Sequence, residues 1–136
     1  MYQILIFIAM FGMDFKHTET IKSVELSYQT RGMQKRLHIT SDSIEVIIND
    51  KINHYKTSKT QWQKILKTFQ KVKLSGISTL KRPTTKSFHD GAYMAQLKVI
   101  TNLKEYQSVS FDHDMPPNAL VKTIHAMKVT VENDNF

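Results

Sequence analysis

Alternation of apolar and polar residues predicts a run of β-strands in the first third of the chain. In the first of them, Val24, Leu26 and Tyr28 share one side and the residues between them are polar. A period of two residues is typical of a half-buried strand. The predicted strands cover residues 22–28, 33–40, 44–48 and 52–56. Polar turns join them, so we expect one antiparallel sheet.

A helical period replaces the alternation after the fourth predicted strand. Ser58 and Thr60 each precede a glutamine by three residues, the spacing of a capping box at the start of a helix. Glycine commonly closes helices, so we expect this helix to end near Gly76. Its apolar positions recur at helical spacing and form one face. They are Trp62, Ile65, Leu66, Phe69 and Val72.

A long polar stretch, residues 81–91, separates this helix from a second group of strands. Loops of this length are uncommon in compact domains and are often functional. A hairpin follows, with its turn at Asn102 and a return strand over residues 105–111. Asp114 is placed to cap the last helix, which two prolines open. We expect residues 131–136 to be a frayed tail.

These patterns predict an α+β domain, with a single antiparallel sheet of about five strands and two helices packed on one face. The elements follow the order strands, helix, hairpin, helix. We assign residues 21–130 to this domain, residues 1–20 to an apolar N-terminal segment and linker, and residues 131–136 to the tail. A length of 136 residues with 40 % hydrophobic content suits one folded domain.

The N-terminal segment is continuously apolar over residues 4–13. It is too short to cross a bilayer, which takes about 20 residues, but its length suits the apolar centre of a secretory signal. Three alternatives stay open: a signal or its remnant, a membrane-contacting anchor, or a buried first element. A signal would make the protein periplasmic or exported, and otherwise we expect it in the cytoplasm.

The charge of the chain is unevenly distributed. The net charge is +7, and no acidic residue occurs between Asp50 and Asp90. Such a run predicts a positive surface that attracts acidic partners, nucleic acid or anionic lipid, or simply a solvated face. The basic residues of the run are Lys51, Lys56, Lys59, Lys64, Lys67, Lys71, Lys73, Lys81, Arg82 and Lys86.

The sequence contains no motif that predicts catalysis, a metal site or a cofactor. It has no cysteine, and none of its six histidines has a zinc-type spacing. Asp112, His113 and Asp114 could bring two carboxylates and an imidazole to one corner, as a metal or acid–base site requires. The structural alternative is that Asp112 fixes a turn and Asp114 caps the helix. We therefore predict a non-enzymatic protein without cofactor or metal, and keep a site at this corner as an alternative.

Binding of nucleic acid is a second alternative. Proteins that bind single-stranded nucleic acid on a β-sheet stack the bases on exposed aromatic side chains beside basic residues. The lysine-rich run over residues 51–86 could supply the charge, and Tyr55, Phe88 and Tyr106 could supply the rings. The sequence shows no paired aromatic residues on adjacent strands, so the signal is incomplete.

Binding of a protein partner is the leading hypothesis. Loops carried on a rigid scaffold commonly form the contact surfaces of small binding proteins. Two segments have this character, the first turn and the long basic loop. The candidate contact residues are Gln29, Thr30, Arg31 and Gly32 in the turn, and Lys81, Arg82, Lys86, Phe88, His89 and Asp90 in the loop.

A resemblance to known proteins points the same way. It rests on the strand–turn–strand at residues 24–39, the Trp62 helix, the Phe88-x-Asp90-Gly91-Ala92 turn and the corner Ser110-Phe111-Asp112-x-x-x-Pro116-Pro117-x-x-Leu120, and the first and last of these are its most specific pieces. In these residues the chain resembles a group of small proteins from Bacteroidota-type bacteria, and more loosely the emfourin-like inhibitors of thermolysin-like metalloproteases. The resemblance implies a non-enzymatic fold and a protease as partner, either for an exported inhibitor or for an envelope accessory protein.

Overall fold

A computed structural model describes residues 18–89 and 92–136. Within these ranges the chain is an α+β fold, a seven-stranded antiparallel sheet with both α-helices packed on one face. The apolar run over residues 4–13 lies outside the described residues, as does the rest of the N-terminal segment except residues 18–20. In the described part, none of the helices is long and apolar enough to cross a membrane.

The elements follow one another closely. The strands are β1 Ile21–Thr30, β2 Met33–Thr40, β3 Ser43–Ile48, β4 Lys51–Lys56, β5 Met94–Thr101, β6 Glu105–Gln107 and β7 Phe111–Asp112. The α-helices are α1 Lys59–Thr68 and α2 Val121–Val129. Short 3₁₀ helices lie at Leu74–Thr79, Lys86–Phe88 and Asn118–Leu120.

The first four strands form a meander, and the second half of the chain adds to it at β1. The strand order is β4-β3-β2-β1-β5-β6, and β7 pairs with the start of β5. β1 therefore lies near the middle of the sheet and pairs along most of its length with both β2 and β5. The alternation in β1 is confirmed, because Val24, Leu26 and Tyr28 are all buried on the helix-covered face.

The predicted count of about five strands is wrong. The fourth strand predicted over residues 52–56 is present as Lys51–Lys56, paired with β3 along its whole length although all six of its residues are exposed. The return strand expected over residues 105–111 is split in two at Ser108. The backbone N–H of Ser108 donates to Leu97 O at 2.8 Å, and the side-chain oxygen of Ser108 accepts from Leu97 N at 2.9 Å. The next residue, Val109, donates instead to Ile77 O at 3.0 Å, so the strand is interrupted.

Helix α1 begins as predicted and ends early. Ser58 Oγ accepts from Gln61 N at 3.0 Å, and Gln61 Oε1 accepts from Ser58 N at 2.9 Å, a complete capping box. The expected end near Gly76 is wrong, because the α-helix ends at Thr68. The Thr68 hydroxyl donates to Ile65 O at 2.6 Å, a local bond that competes with helical continuation. Gly76 lies in the following 3₁₀ helix.

The C-terminal residues pack against the sheet, which differs from the expected frayed tail. Val131 is buried, and the Phe136 ring stacks on Tyr28 with 5.0 Å between ring centroids. Asp134 Oδ1 accepts from the Tyr55 hydroxyl at 2.8 Å. Phe136 therefore covers Tyr28 of β1, and Asp134 holds the edge strand β4 through Tyr55.

Replacement of Ser58 by alanine should lower the free energy of unfolding by about 1 kcal/mol, because the helix loses the acceptor for an N-terminal N–H. Urea unfolding followed by circular dichroism measures the change. Thr60→Ala is the matched control, since Thr60 is exposed in the first turn and takes no part in the capping box. Equal losses in both variants would contradict the assignment of the cap to Ser58.

Candidate functional site

The two segments predicted to contact a partner meet at one end of the sheet. Gln29 of β1 pairs with Met94 at the start of β5, and Met94 pairs in turn with Asp112 of β7. The β1–β2 turn and the loop that leads into β5 therefore lie at the same end. Sequence alone predicted each segment but not their proximity, which follows from the insertion of β1 between β2 and β5.

The β1–β2 turn is short and well supported. Gly32 has a φ of +81°, a conformation that residues with a side chain rarely adopt. The neighbouring β3–β4 turn braces it, because Asn49 N donates to Gln34 O at 2.8 Å and Asn49 Oδ1 accepts from Gln34 N at 3.0 Å. An open concavity of about 620 Å³ lies between the two turns, with Arg31 and Gly32 in its wall.

A buried carboxylate organises the long loop. Asp112 is completely shielded from solvent, and its Oδ1 accepts from Ser87 N at 2.9 Å while its Oδ2 accepts from Lys86 N at 2.8 Å. The Thr84 hydroxyl donates to Oδ2, and the Arg82 guanidinium donates to Oδ1 at 3.2 Å. The loop therefore folds back onto β7 instead of extending freely into solvent. We call this arrangement the Asp112 brace: the Asp112 carboxylate and its donors on Arg82, Thr84, Lys86 and Ser87.

The brace keeps Asp112 ionised. Burial alone raises the pKa of a carboxyl group, but the hydrogen bonds from Ser87, Thr84 and the Lys86 backbone outweigh burial and hold the pKa of Asp112 well below its ordinary 3.8. A carboxylate that is this fully satisfied has no free lone pair directed at a ligand. Its role in this geometry is to fix the loop.

The other two residues of the predicted corner have different environments. His113 packs edge-on against Tyr93, with 5.1 Å between ring centroids, and its Nδ1 accepts from Tyr93 N at 3.2 Å. Asp114 is exposed and lies 3.4 Å from Lys86 Nζ. It does not cap the last helix: the N-cap of α2 is Leu120, that of the 3₁₀ helix before it is Pro117, and neither makes a side-chain cap hydrogen bond. In residues 18–89 and 92–136, no group of three or more His, Cys, Asp or Glu is placed to hold a metal ion.

The brace determines which loop residues face solvent. Arg82 was predicted as a contact residue, yet its side chain is only 12 % exposed, because it lies between Asp112 and the Phe88 ring. Its guanidinium carbon is 4.1 Å from the ring centroid, a cation–π contact that holds Phe88 from one side. Phe88 itself stays 60 % exposed. Lys81, Lys86 and His89 are also exposed, and Asp90 lies outside the described residues.

Two methionines belong to this region and were missed from sequence. Met94 and Met115 are 41 % and 40 % exposed, and both adjoin Asp112, one as its strand partner and the other through Met115 N donating to Asp112 O at 2.9 Å. The sequence did contain a signal for Met94, because it is an apolar residue on the polar side of β5. We call the combined region the turn-end surface. It consists of Gln29, Thr30, Arg31, Gly32, Lys86, Phe88, His89, Met94 and Met115.

The lysine-rich run does not form a single face. Its residues lie on the edge strand β4, on and just after α1, and on the braced loop at the other side of the sheet. The aromatic residues proposed to stack bases are equally separated. Tyr55 bonds to the C-terminal tail, Tyr106 on β6 donates to Glu19 Oε1 at 2.6 Å, and Phe88 projects from the loop. The three rings therefore do not form one platform on which successive bases could stack.

The chain matches no protein-family model, no curated protein and no solved structure. Function is therefore inferred from the geometry and chemistry of the described residues.

Asp112→Asn should destabilise the fold by about 3 kcal/mol at pH 7, because the amide replaces an ionised acceptor in front of buried N–H donors. Thermal or urea unfolding measures the loss. Asp114→Asn removes the same charge two residues away at an exposed position, and it should cost no more than about 0.5 kcal/mol. Similar losses in the two variants would show that the brace does not support the fold.

The difference between wild type and Asp112→Asn should depend on pH in a defined direction. The pKa of Asp112 is lowered by folding, so its stabilisation is complete above the ordinary value of 3.8 and is lost as the pH falls through the lower folded value. The stability gap between the two proteins should therefore be constant near neutral pH and shrink in acid. A gap that widens below pH 4 would contradict this assignment.

Proposed function

We propose that the chain is a small non-enzymatic module that binds a protein partner through the turn-end surface. The observation that carries the proposal is the Asp112 brace, which holds an exposed phenylalanine on an ordered loop. Aromatic residues that project from a fixed backbone are typical anchors of protein interfaces.

The energetic argument rests on preorganisation. An interface loop that must be ordered on binding costs affinity, whereas a loop fixed beforehand does not. Four residues of the loop donate to one buried carboxylate, so the position of Phe88 is determined before any partner arrives. Met94 and Met115 add exposed apolar area beside it, Arg31 adds a positive charge at the β1–β2 turn, and Lys86 is paired with the exposed Asp114. This composition suits a partner with an apolar pocket and an acidic group that faces Arg31.

The sharper form of the proposal makes the partner a thermolysin-like metalloprotease, with the chain as an exported inhibitor or an envelope accessory protein. The resemblance to emfourin-like inhibitors motivates it. Protease–inhibitor complexes also typically form with little movement of the interface backbone, which is consistent with a loop that is braced in the free chain.

Pre-incubation with a micromolar excess of the protein should reduce the activity of a thermolysin-like protease on a small fluorogenic peptide. Phe88→Ala should weaken this inhibition at least about tenfold, because the central apolar anchor is lost. Leu103→Ala is the matched control, since Leu103 is 54 % exposed and lies in the β5–β6 turn at the opposite end of the sheet. Full protease activity at saturating protein would exclude the inhibitor.

The broader proposal has its own test. A photo-crosslinking amino acid at position 88 should capture a defined protein in cells that express the chain, and the same group at position 103 should not. The identical product at both positions, or no product at position 88, would exclude the turn-end surface as the interface. The two experiments therefore separate a wrong partner from a wrong surface.

A further inference from the structure

A second surface lies on the helix side of the molecule, away from the braced loop. A groove of about 520 Å³ runs between α1 and the start of α2. Its rim carries Lys64, Lys67 and Lys71 from the first helix and the residues after it, and Lys122 from the second. The first three belong to the basic run of residues 51–86, but the fourth lies far along the chain and joins them only in the fold.

The charge of this groove is uncompensated. Neither helix contains an acidic residue: α1 reads KTQWQKILKT and α2 reads VKTIHAMKV. Within residues 18–89 and 92–136, no carboxylate lies within 4.0 Å of any of the four rim ammonium groups. Like charges on neighbouring turns of a helix repel each other, so this arrangement costs folding stability. An anionic ligand would remove that repulsion.

The groove is held together across the two helices and is partly apolar. The Thr123 hydroxyl of α2 donates to Thr68 Oγ1 of α1 at 2.9 Å, and Thr123 is fully buried. This bond ties the two helices together at the groove, which Thr68 helps to line. Val72 and Ala119 supply apolar lining beside the polar Thr68, Gln70 and Asn118. The site therefore combines a partly apolar trough with four positive charges along its edges.

We propose that this groove binds an acidic segment of a protein, with apolar side chains in the trough and carboxylates facing the lysines. Nucleic acid fits less well, because the residues that line the groove include no aromatic ring on which a base could stack. The apolar lining would remain uncovered beneath a phosphate backbone, whereas an amphipathic acidic segment covers that lining and neutralises the rim. This site is independent of the turn-end surface and of its proposed role.

Selection of a random displayed peptide library against the full-length chain at low ionic strength tests the proposal. Peptides rich in Asp and Glu, interspersed with apolar residues, should be enriched. A fluorescently labelled selected peptide should bind with an affinity that falls as salt is added, since charge pairs at a surface are screened. Charge reversal in K67E/K122E should weaken binding at least about tenfold.

The control variant K51E/K56E makes the same change in net charge on the edge strand β4, where both lysines are exposed. It should alter peptide affinity by no more than about threefold. Circular dichroism of both variants verifies that they are folded. Three results would each overturn the proposal: selected peptides without acidic residues, equal effects of the two variants, or tighter binding of a single-stranded oligonucleotide that K67E/K122E abolishes.

Discussion

The buried Asp112 carboxylate is the interaction on which the arrangement of the second half of the domain depends. It lies at the point where β7 joins β5, and it accepts hydrogen bonds from a loop more than twenty residues earlier in the chain. An ionised group can remain this far from water only when its oxygens are fully satisfied. The loop therefore has to adopt the one conformation that brings its donors to the carboxylate, and the exposure of Phe88 is a consequence of that requirement.

The sheet supplies the second constraint. Because β1 pairs with both β2 and β5, the turn after β1 and the entry to β5 lie at the same end. A loop braced on β7 is thereby fixed relative to a turn that belongs to the first meander. The C-terminal residues reinforce the arrangement, since Phe136 stacks on Tyr28 and Asp134 holds Tyr55 of the edge strand. The turn-end surface is thus assembled by the topology of the whole domain and not by any one segment.

Local patterns accounted for the features that arise from local physics. The two-residue period located the first strands, and the three-residue spacing from Ser58 to Gln61 located the start of α1. The features that were missed depend on contacts between distant residues. The strand break at Ser108 needs Ile77 as an alternative acceptor, and the burial of Arg82 needs Asp112. Neither pairing leaves a periodic signal in the sequence, so the count of about five strands was wrong and the burial of Arg82 was not foreseen.

Charged side chains are distributed differently on the two faces of the domain. On the open face of the sheet, three nitrogen-bearing side chains lie beside carboxylates: His38 Nδ1 lies 3.2 Å from Glu25, His54 Nδ1 lies 3.6 Å from Glu45, and Lys98 Nζ lies 3.4 Å from Glu105. These three side chains therefore have acidic neighbours, while the four lysines of the helix groove have none within 4.0 Å in the described residues. A chain with net charge +7 could have placed its few carboxylates on either side. Neither α1 nor α2 contains a carboxylate, so the helices are positive, and this asymmetry makes the groove, and not the open face, the surface that electrostatics directs toward an acidic partner.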